Sequence, residues 1–222
     1  IKNTFLKDFV FKFLKSLKLL NLRIKPIPWL LLFYIKNIKL FWIDVSHFFK
    51  SKASTTFFSY FNNFDSDKLL EDMVFQSSYW GGLQNHLIRN QYNSNWVHIS
   101  LSNESKKIKA LKSTPNKLFF DLNNNPHNNQ NHLFIESLFS WSIAFYSLIK
   151  FTRIFLISLF KEKKLRSKIR FFSLIRLEYI KTFQSNATLE NILYFYLFGK
   201  LFQRLSNQKR IVFLYENLPW ER

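Results

Sequence analysis

The chain has no cysteine, three glycines and one methionine among its 222 residues. Without cysteine it has no disulfide and no thiolate metal site, which is compatible with a reducing cytosol. With so few glycines it contains neither the GxGxxG dinucleotide motif nor the GxxxxGK[ST] phosphate loop. Acidic residues are also scarce, 14 against 33 Lys and Arg, and the formal net charge is +19.

This positive charge favours an anionic partner such as nucleic acid, an anionic membrane surface or a phosphorylated substrate. The abundance of Lys, Asn, Ile and Phe is equally what an A/T-rich genome encodes at tolerant positions, so charge alone does not decide. The aromatic residues are mostly Phe at core spacing, and no RNA-recognition motif occurs. Nucleic acid is therefore the less favoured partner.

The two longest apolar runs, Trp29–Ile35 and Leu138–Ile149, bear on membrane insertion. Both are shorter than the roughly 20 apolar residues that cross a bilayer. Lys150 and Arg153 are expected to end the second run. The sequence therefore predicts no spanning helix, and it leaves a basic, aromatic segment lying on a membrane surface open.

Two regions are predicted. Residues 1–52 place Phe and Leu at helical spacing between lysines, which predicts a basic helical N-terminal segment. Residues 53–222 predict a Rossmann-like α/β domain with helical insertions. The strand Thr55–Phe61, the helix Tyr79–Gln91 and the strand Asn95–Leu101 form a βαβ unit, which implies a parallel sheet.

The later elements are assigned in the same way. We predict a third strand at Lys117–Leu122, a polar loop at Asn123–Asn131 and one long helix or two from His132 to about Lys161. A basic helical stretch at Leu165–Phe183 and a final buried strand at Ile211–Tyr215 follow. Thr188 is predicted to cap an amphipathic helix that precedes the last strand. The chain ends shortly after that strand, so we expect it to be an internal fragment of a longer protein.

The strongest candidate site follows the last predicted strand. Glu216 comes where the apolar run ends, and Pro219 suits the first position of a following helix. An acid at the carboxyl end of a strand lies where open α/β sheets form ligand clefts, so Glu216 is a candidate general base. Trp220 and Glu221 complete this segment, although Glu221 is equally explained as an acid in the first turn of a helix.

The adjacent glycines Gly81 and Gly82 form a second candidate. Because the chain has so few glycines, the pair predicts a positive φ or a close approach by another group. Ser77 or Ser78 could cap the helix that begins there, leaving N–H groups to hold a phosphate. A tight helix entry without a ligand is the favoured alternative.

Histidines supply the remaining candidates. Strand alternation places Trp96 and His98 on one face and Asn95 on the other. His132 and Glu136 are four residues apart, which would put them on the same face of the predicted helix. No third ligand occurs at a recognisable spacing, so no metal site is predicted.

Five segments, in order, resemble a family of bacterial surface-carbohydrate biosynthesis proteins: TFFSYFNNFD, SSYWGGL, NWVHISL, HLFIESLFS and VFLYENLPWER. Members of this family are glycosyltransferase-like, with two Rossmann-type domains that face each other across a cleft (GT-B). The match covers Thr55–Arg222, and Leu218 departs from the glutamine usual in the family. The resemblance implies functional roles for Asp65, Tyr79, Trp80, Gly81, Asn95, Trp96, His98, His132, Glu136, Glu216, Asn217, Pro219, Trp220 and Glu221.

The resemblance further implies a nucleotide-sugar donor, a polysaccharide or lipid-linked acceptor, and no metal or other cofactor. The chain would form one half of a GT-B enzyme, inactive alone, at the cytoplasmic face of a membrane. Glu216 and His98 are the expected catalytic residues. The other family positions except Pro219, together with Ser78 and Gly82, are expected to bind substrate. A nucleic-acid-binding protein and a noncatalytic membrane scaffold are the alternatives.

Overall fold

The computed structural model describes residues 19–61, 64–65, 68–69, 73–77, 79–100, 115–125, 129–169, 171–205 and 208–213. Contacts divide the chain into two compact units. The helical unit comprises the described residues up to Ile35 together with Ser140–Tyr196. The sheet unit comprises the described residues of Lys36–Phe139 and those from Leu197 onwards. Each unit joins segments that are distant in sequence, and the predicted segment 1–52 contributes residues to both.

The sheet unit is built on four parallel strands: β1 (Thr55–Tyr60), β2 (Ser94–Ile99), β3 (Gln130–Phe134) and β4 (Arg210–Phe213). Their order across the sheet is β3-β2-β1-β4. All six residues of β2 and five of the six residues of β1 are buried. The predicted α/β class, the parallel sheet and the first two strands are confirmed, because strands buried on both faces appear as continuous apolar runs.

β4 confirms the last predicted strand but not its burial. Ile211 pairs with Thr56 and Phe213 with Phe58 in parallel register. Ile211 and Phe213 are nevertheless 44% exposed each. The prediction of a buried strand is wrong because β4 lies at the edge of the described sheet and pairs on one side only. The remaining predicted strand residues lie outside the described part.

The predicted third strand is a helix. Within the sheet unit, α2 spans Ser46–Lys50, α3 spans Gly81–Arg89 and α4 spans Pro115–Asn124. α3 confirms the predicted helix, whereas α4 covers the segment predicted as the strand Lys117–Leu122. That segment buries Leu118, Phe119 and Leu122, the spacing of one helical face. A short apolar run does not distinguish the two structures in sequence.

The true third strand, β3, lies where we predicted the end of a polar loop and the start of a helix. Both predictions are wrong there. β3 is followed at once by a 3₁₀ turn, Ile135–Leu138, so His132 and Glu136 do not share a helical face. Asn123 at the end of α4 accepts the His132 N–H at 2.7 Å and donates to the His132 carbonyl at 3.1 Å. Pairing with β2 and the Asn123 side-chain amide stabilise β3, although its polar composition does not indicate a strand.

Aromatic rings fill one side of the sheet. Phe57 stacks on Trp96 at 4.6 Å between ring centroids, and Phe119 of α4 packs on Phe134 at 4.3 Å. Phe61 is fully buried in the same cluster. On the opposite face Phe58 stacks on Phe213 at 4.3 Å. Such contacts contribute about 0.5–1.5 kcal/mol each beyond burial of their area.

The helical unit holds most of α1 (Pro26–Asn37), α5 (Trp141–Lys168), α6 (Phe172–Phe183) and the first part of α7 (Asn186–Arg204). Ser140 caps α5 by accepting the Ile143 N–H. α5 therefore starts nine residues after the predicted position and continues past Lys150 and Arg153. The predicted helix also contained both residues, and its predicted end near Lys161 falls seven residues before the observed end at Lys168.

α7 begins after Ser185, whose hydroxyl accepts the Ala187 N–H at 3.2 Å, an N-cap hydrogen bond. The predicted cap, Thr188, lies inside the helix and donates to the Thr182 carbonyl at 2.8 Å. The amphipathic helix itself is confirmed: Leu189, Leu193, Leu197 and Leu201 are fully buried. The cap lies three residues before the predicted one. Ser185 and Thr188 both carry a hydroxyl group that suits an N-cap, so residue type alone did not identify the cap.

Candidate active site

The carboxyl edge of the sheet is the candidate site. β1 has β2 on one side and β4 on the other, so the strand order reverses direction at β1. In open parallel sheets, ligands bind outside the carboxyl ends of the strands at such a point. The segment after β1 contains Asp65, and the segment after β4 contains the predicted base Glu216. Ser78, Glu216, Asn217, Trp220 and Glu221 lie outside the described residues.

The segment after β1 folds back on itself and holds Asp65. The Asp65 N–H donates to the Gln76 carbonyl at 2.9 Å, and the Asp65 carboxylate accepts the Lys68 N–H at 3.2 Å. Phe64 and Ser77 form an antiparallel bridge beside it. The Asp65 side chain therefore stabilises its own turn, and it is half-buried next to the end of β1.

Gln84 is a structural residue that sequence reasoning missed. Its amide is fully buried. Its Oε1 accepts the Ser77 N–H at 2.6 Å, and its Nε2 donates to the Phe75 carbonyl at 3.1 Å. The Gln84 side chain thus connects α3 to the segment Phe75–Ser77 through two hydrogen bonds. A polar residue on the buried side of an amphipathic helix was the available signal.

The helix entry around the two glycines differs from the prediction. Among the described glycines none has a positive φ. A Cβ on Gly81 would lie 3.3 Å from the mobile end of Gln76, and one on Gly82 would meet nothing within 4 Å. Trp80 occupies the N-cap without a side-chain cap bond. Ser77 instead accepts the Tyr79 N–H at 3.2 Å. Within the described residues, therefore, neither a serine cap nor a positive φ accounts for the pair, and a close approach occurs at Gly81 alone.

The two aromatic residues before the glycines have different surroundings. Tyr79 is 46% exposed. Trp80 packs edge-on against Phe57 and Trp96, at 5.9 and 6.5 Å. The Trp80 indole nitrogen is buried and has no hydrogen-bond partner among the described residues. Tyr79 is therefore partly exposed, whereas Trp80 packs against the aromatic core.

His98 of β2 and His132 of β3 form a buried pair. The His98 Nε2 and His132 Nδ1 atoms are 3.0 Å apart, and the rings stack within 9°. Phe61, Phe75 and Phe119 pack edge-on around the His98 ring. One imidazole donates to the other, so in either tautomer one N–H and one lone pair remain unpaired within the described structure.

The surroundings keep both imidazoles neutral. Burial lowers the pKa of His132 to about 3. Burial, and then the charge that His132 would carry, hold the pKa of His98 well below its ordinary value of 6.5. Both rings are fully shielded from water. His98 is therefore placed in the core rather than at a substrate-facing surface, and the pair joins β2 to β3.

Glu136 is the second residue after β3 and is fully buried. One carboxylate oxygen accepts the Ser100 N–H at 2.9 Å, just past the end of β2. The side chain therefore ties together the carboxyl ends of two neighbouring strands. A hydrogen bond to a carboxylate contributes about 1.5–3 kcal/mol. This places a buried acid at the candidate edge.

Asn95 and Trp96 lie within β2, away from the carboxyl edge of the sheet. Asn95 is the second residue of β2, and at about 3.3 Å per residue it is about 13 Å from Ile99, the last residue of the strand. It points to the face opposite Trp96, as predicted, in register with Thr56 and Asn131. Its amide is buried without a hydrogen-bond partner among the described residues. The structure does not bring Asn95 to the carboxyl edge.

Among the described residues no group of three His, Asp or Glu side chains could hold a metal ion. Comparison with known proteins adds no assignment: no protein-family model matches the chain, and no curated protein or solved structure matches it. The geometry of the sheet and the segments after its strands are therefore the features that bear on function.

Proposed function

We propose that this protein transfers a sugar from a nucleotide donor to a polysaccharide or lipid-linked acceptor, with the sheet unit forming one lobe of a GT-B enzyme. The supporting observation is the strand order, which reverses at β1 beside the strand that leads to Glu216. The segment resemblance supplies the reaction class. The proposed site of action is the cytoplasmic face of a membrane.

In the proposed reaction, the acceptor hydroxyl gives its proton to Glu216 as its oxygen bonds to the anomeric carbon. The bond between that carbon and the donor phosphate breaks, and the nucleoside diphosphate leaves. Asp65 and Tyr79 after β1, with Asn217, Trp220 and Glu221 after β4, are the proposed substrate contacts. Glu136 and the histidine pair are proposed to hold the strand ends in position.

The test measures nucleoside diphosphate release from a panel of nucleotide sugars, with polyprenyl-phosphate-linked acceptors, using the protein expressed from its complete reading frame. We expect acceptor-dependent release that Glu216→Gln lowers by about 10²–10⁴-fold, the usual contribution of a general base. Glu178→Gln is the matched control, because that carboxylate is exposed on α6 and pairs only with Lys181 among the described residues. Full activity of Glu216→Gln, or no release from any donor, would contradict the proposal.

A further inference from the structure

α5 has its polar and apolar faces reversed relative to a helix of a water-soluble protein. Its buried stripe consists of Ile143, Ala144, Ser147, Phe151, Ser158 and Glu162. Half of these residues are polar or charged. A helix on a water-soluble core normally buries its apolar stripe and exposes its polar one.

Between Trp141 and Phe160, most of the exposed side chains of α5 are apolar. The apolar ones are Trp141, Phe145, Tyr146, Ile149, Leu156, Ile157 and Phe160, which are between 45% and 77% exposed. We call this set the apolar face of α5. Single exposed apolar residues are ordinary, but contiguous patches mark contacts with membranes or other proteins. In the same unit, Leu31 and Leu32 of α1 and Leu174 and Ile175 of α6 are also exposed.

The charge on the buried stripe is paired inside the helical unit. The Glu162 carboxylate accepts from Arg23 at 2.5 Å and from Arg176 at 2.8 Å. Gln184 donates to the same carboxylate at 3.3 Å and accepts from Arg23 at 2.7 Å. Burial alone raises the pKa of Glu162, but the hydrogen bonds from Arg176 and Gln184 and the neighbouring arginine charges outweigh it and lower that pKa. The charged residue on the buried stripe of α5 therefore pairs with other polar groups inside the helical unit.

The end of α5 is strongly basic. Beyond Phe160 the helix carries five basic residues, Lys161, Lys163, Lys164, Arg166 and Lys168, and Glu162 is its only acid there. Because Glu162 faces inward, the basic side chains form the outer surface of this end. Lys and Arg side chains near an anionic leaflet are attracted to its headgroups.

Two observations decide between crossing the bilayer and lying on it. α5 is long and apolar enough to cross a membrane by length and composition alone. Lys150 and Arg153, however, lie exposed within its apolar stretch. Lys150 lies at the border of the apolar face and Arg153 lies on it, between Ile149 and Leu156. From a helix at the membrane surface both long side chains can extend to the headgroups, whereas a central position in a spanning helix would bury their charges in hydrocarbon.

We infer that the apolar face of α5 inserts into the interfacial region of an anionic lipid bilayer, with the basic end of the helix on the phospholipid headgroups. The occupant is a lipid surface rather than a protein because the apolar face and the basic end adjoin on one helix, the combination that binds anionic membranes. This inference does not depend on sugar transfer.

The test is co-sedimentation of the full chain with phosphatidylcholine vesicles that contain or lack phosphatidylglycerol. We expect binding to the anionic vesicles. Phe145→Ser/Phe160→Ser should weaken it about tenfold or more, since two large apolar contacts are lost. Lys163→Glu/Lys164→Glu should remove the preference for anionic lipid, again by about tenfold or more. Both changes affect exposed side chains, and circular dichroism will confirm folding.

The matched control is Phe120→Ser, which alters an equally exposed phenylalanine on α4 of the sheet unit. It should bind vesicles as the unaltered chain does. No binding to anionic vesicles, or equal weakening by the control, would overturn the inference. So would light scattering that shows a dimer broken by Phe145→Ser/Phe160→Ser without vesicle binding, because a second copy of the chain would then cover the face.

Discussion

One phenylalanine of the sheet unit and one of the helical unit have opposite surroundings. In the sheet unit, Phe61 is completely buried among other phenylalanine rings and His98. In the helical unit, Phe160 is 77% exposed while Glu162, two residues later, is buried. The lesson is that a Phe-rich composition does not reveal the surroundings of a residue. Both units bury some phenylalanines and expose others, as Phe172 (1% exposed) in the helical unit and Phe120 (67% exposed) in the sheet unit show.

The largest expected effect separates the two phenylalanines. Phe61→Ala should lower the free energy of unfolding by about 3–5 kcal/mol, because it leaves a cavity in the ring cluster. Phe160→Ala should change it by about 0.5 kcal/mol or less in water, since the ring is already exposed. Urea denaturation of both variants measures the difference. Similar losses for both would show that the helical unit buries Phe160.

Acid should next destabilise the sheet unit through its histidine pair. Both folded pKa values lie below the ordinary 6.5, so the folded state prefers neutral rings. The stability is therefore fully present above pH 6.5 and is lost as the pH falls towards about 3, the folded pKa of His132. Each histidine contributes a loss of about 1.4 kcal/mol per pH unit in this window.

Urea denaturation between pH 7 and 4.5 checks this slope and its source. The double variant His98→Leu/His132→Leu should abolish most of it, since two apolar side chains replace the pair in an aromatic core. His86→Leu, which changes an exposed histidine on α3, should keep it. An unchanged slope in the double variant would show that other groups cause the acid sensitivity.

A smaller effect is expected from the ion cluster of the helical unit. Glu162→Gln should lower the free energy of unfolding by about 1–2 kcal/mol at neutral pH, because it leaves Arg23 and Arg176 without their carboxylate. The side chains of those arginines are 24% and 26% exposed, so water compensates part of the loss. Thermal melts compare it with Glu178→Gln on the same unit. Equal melting temperatures would mean that the cluster adds no stability.

Much of the sheet could be predicted, for a physical reason. β1 and β2 are buried on both faces, so their sequences are continuous apolar and aromatic runs. β3 could not be predicted from its polar sequence QNHLF. Its identity depends on pairing with β2 and on the Asn123 side chain. α4 was mistaken for a strand because six residues of mixed polarity fit either period.

The candidate site was predicted only in part. His98 and His132 are 34 residues apart, and strand pairing alone brings their rings together. The contact from Ser100 to Glu136 has the same origin. The residue types of His98, His132 and Glu136 marked these three as candidates. Burial then decided what they can do, because a neutral imidazole enclosed by phenylalanines holds strands rather than meeting a substrate.

By itself, the sequence determined the α/β class, the parallel βαβ start and the excess of positive charge, because these depend on local apolar runs and on composition. Only the tertiary structure decided that the strand order reverses at β1, that the histidines pair, and that α5 exposes its apolar side. Each of these depends on which distant residues share a surface, and neither periodicity nor residue type encodes that within one short segment.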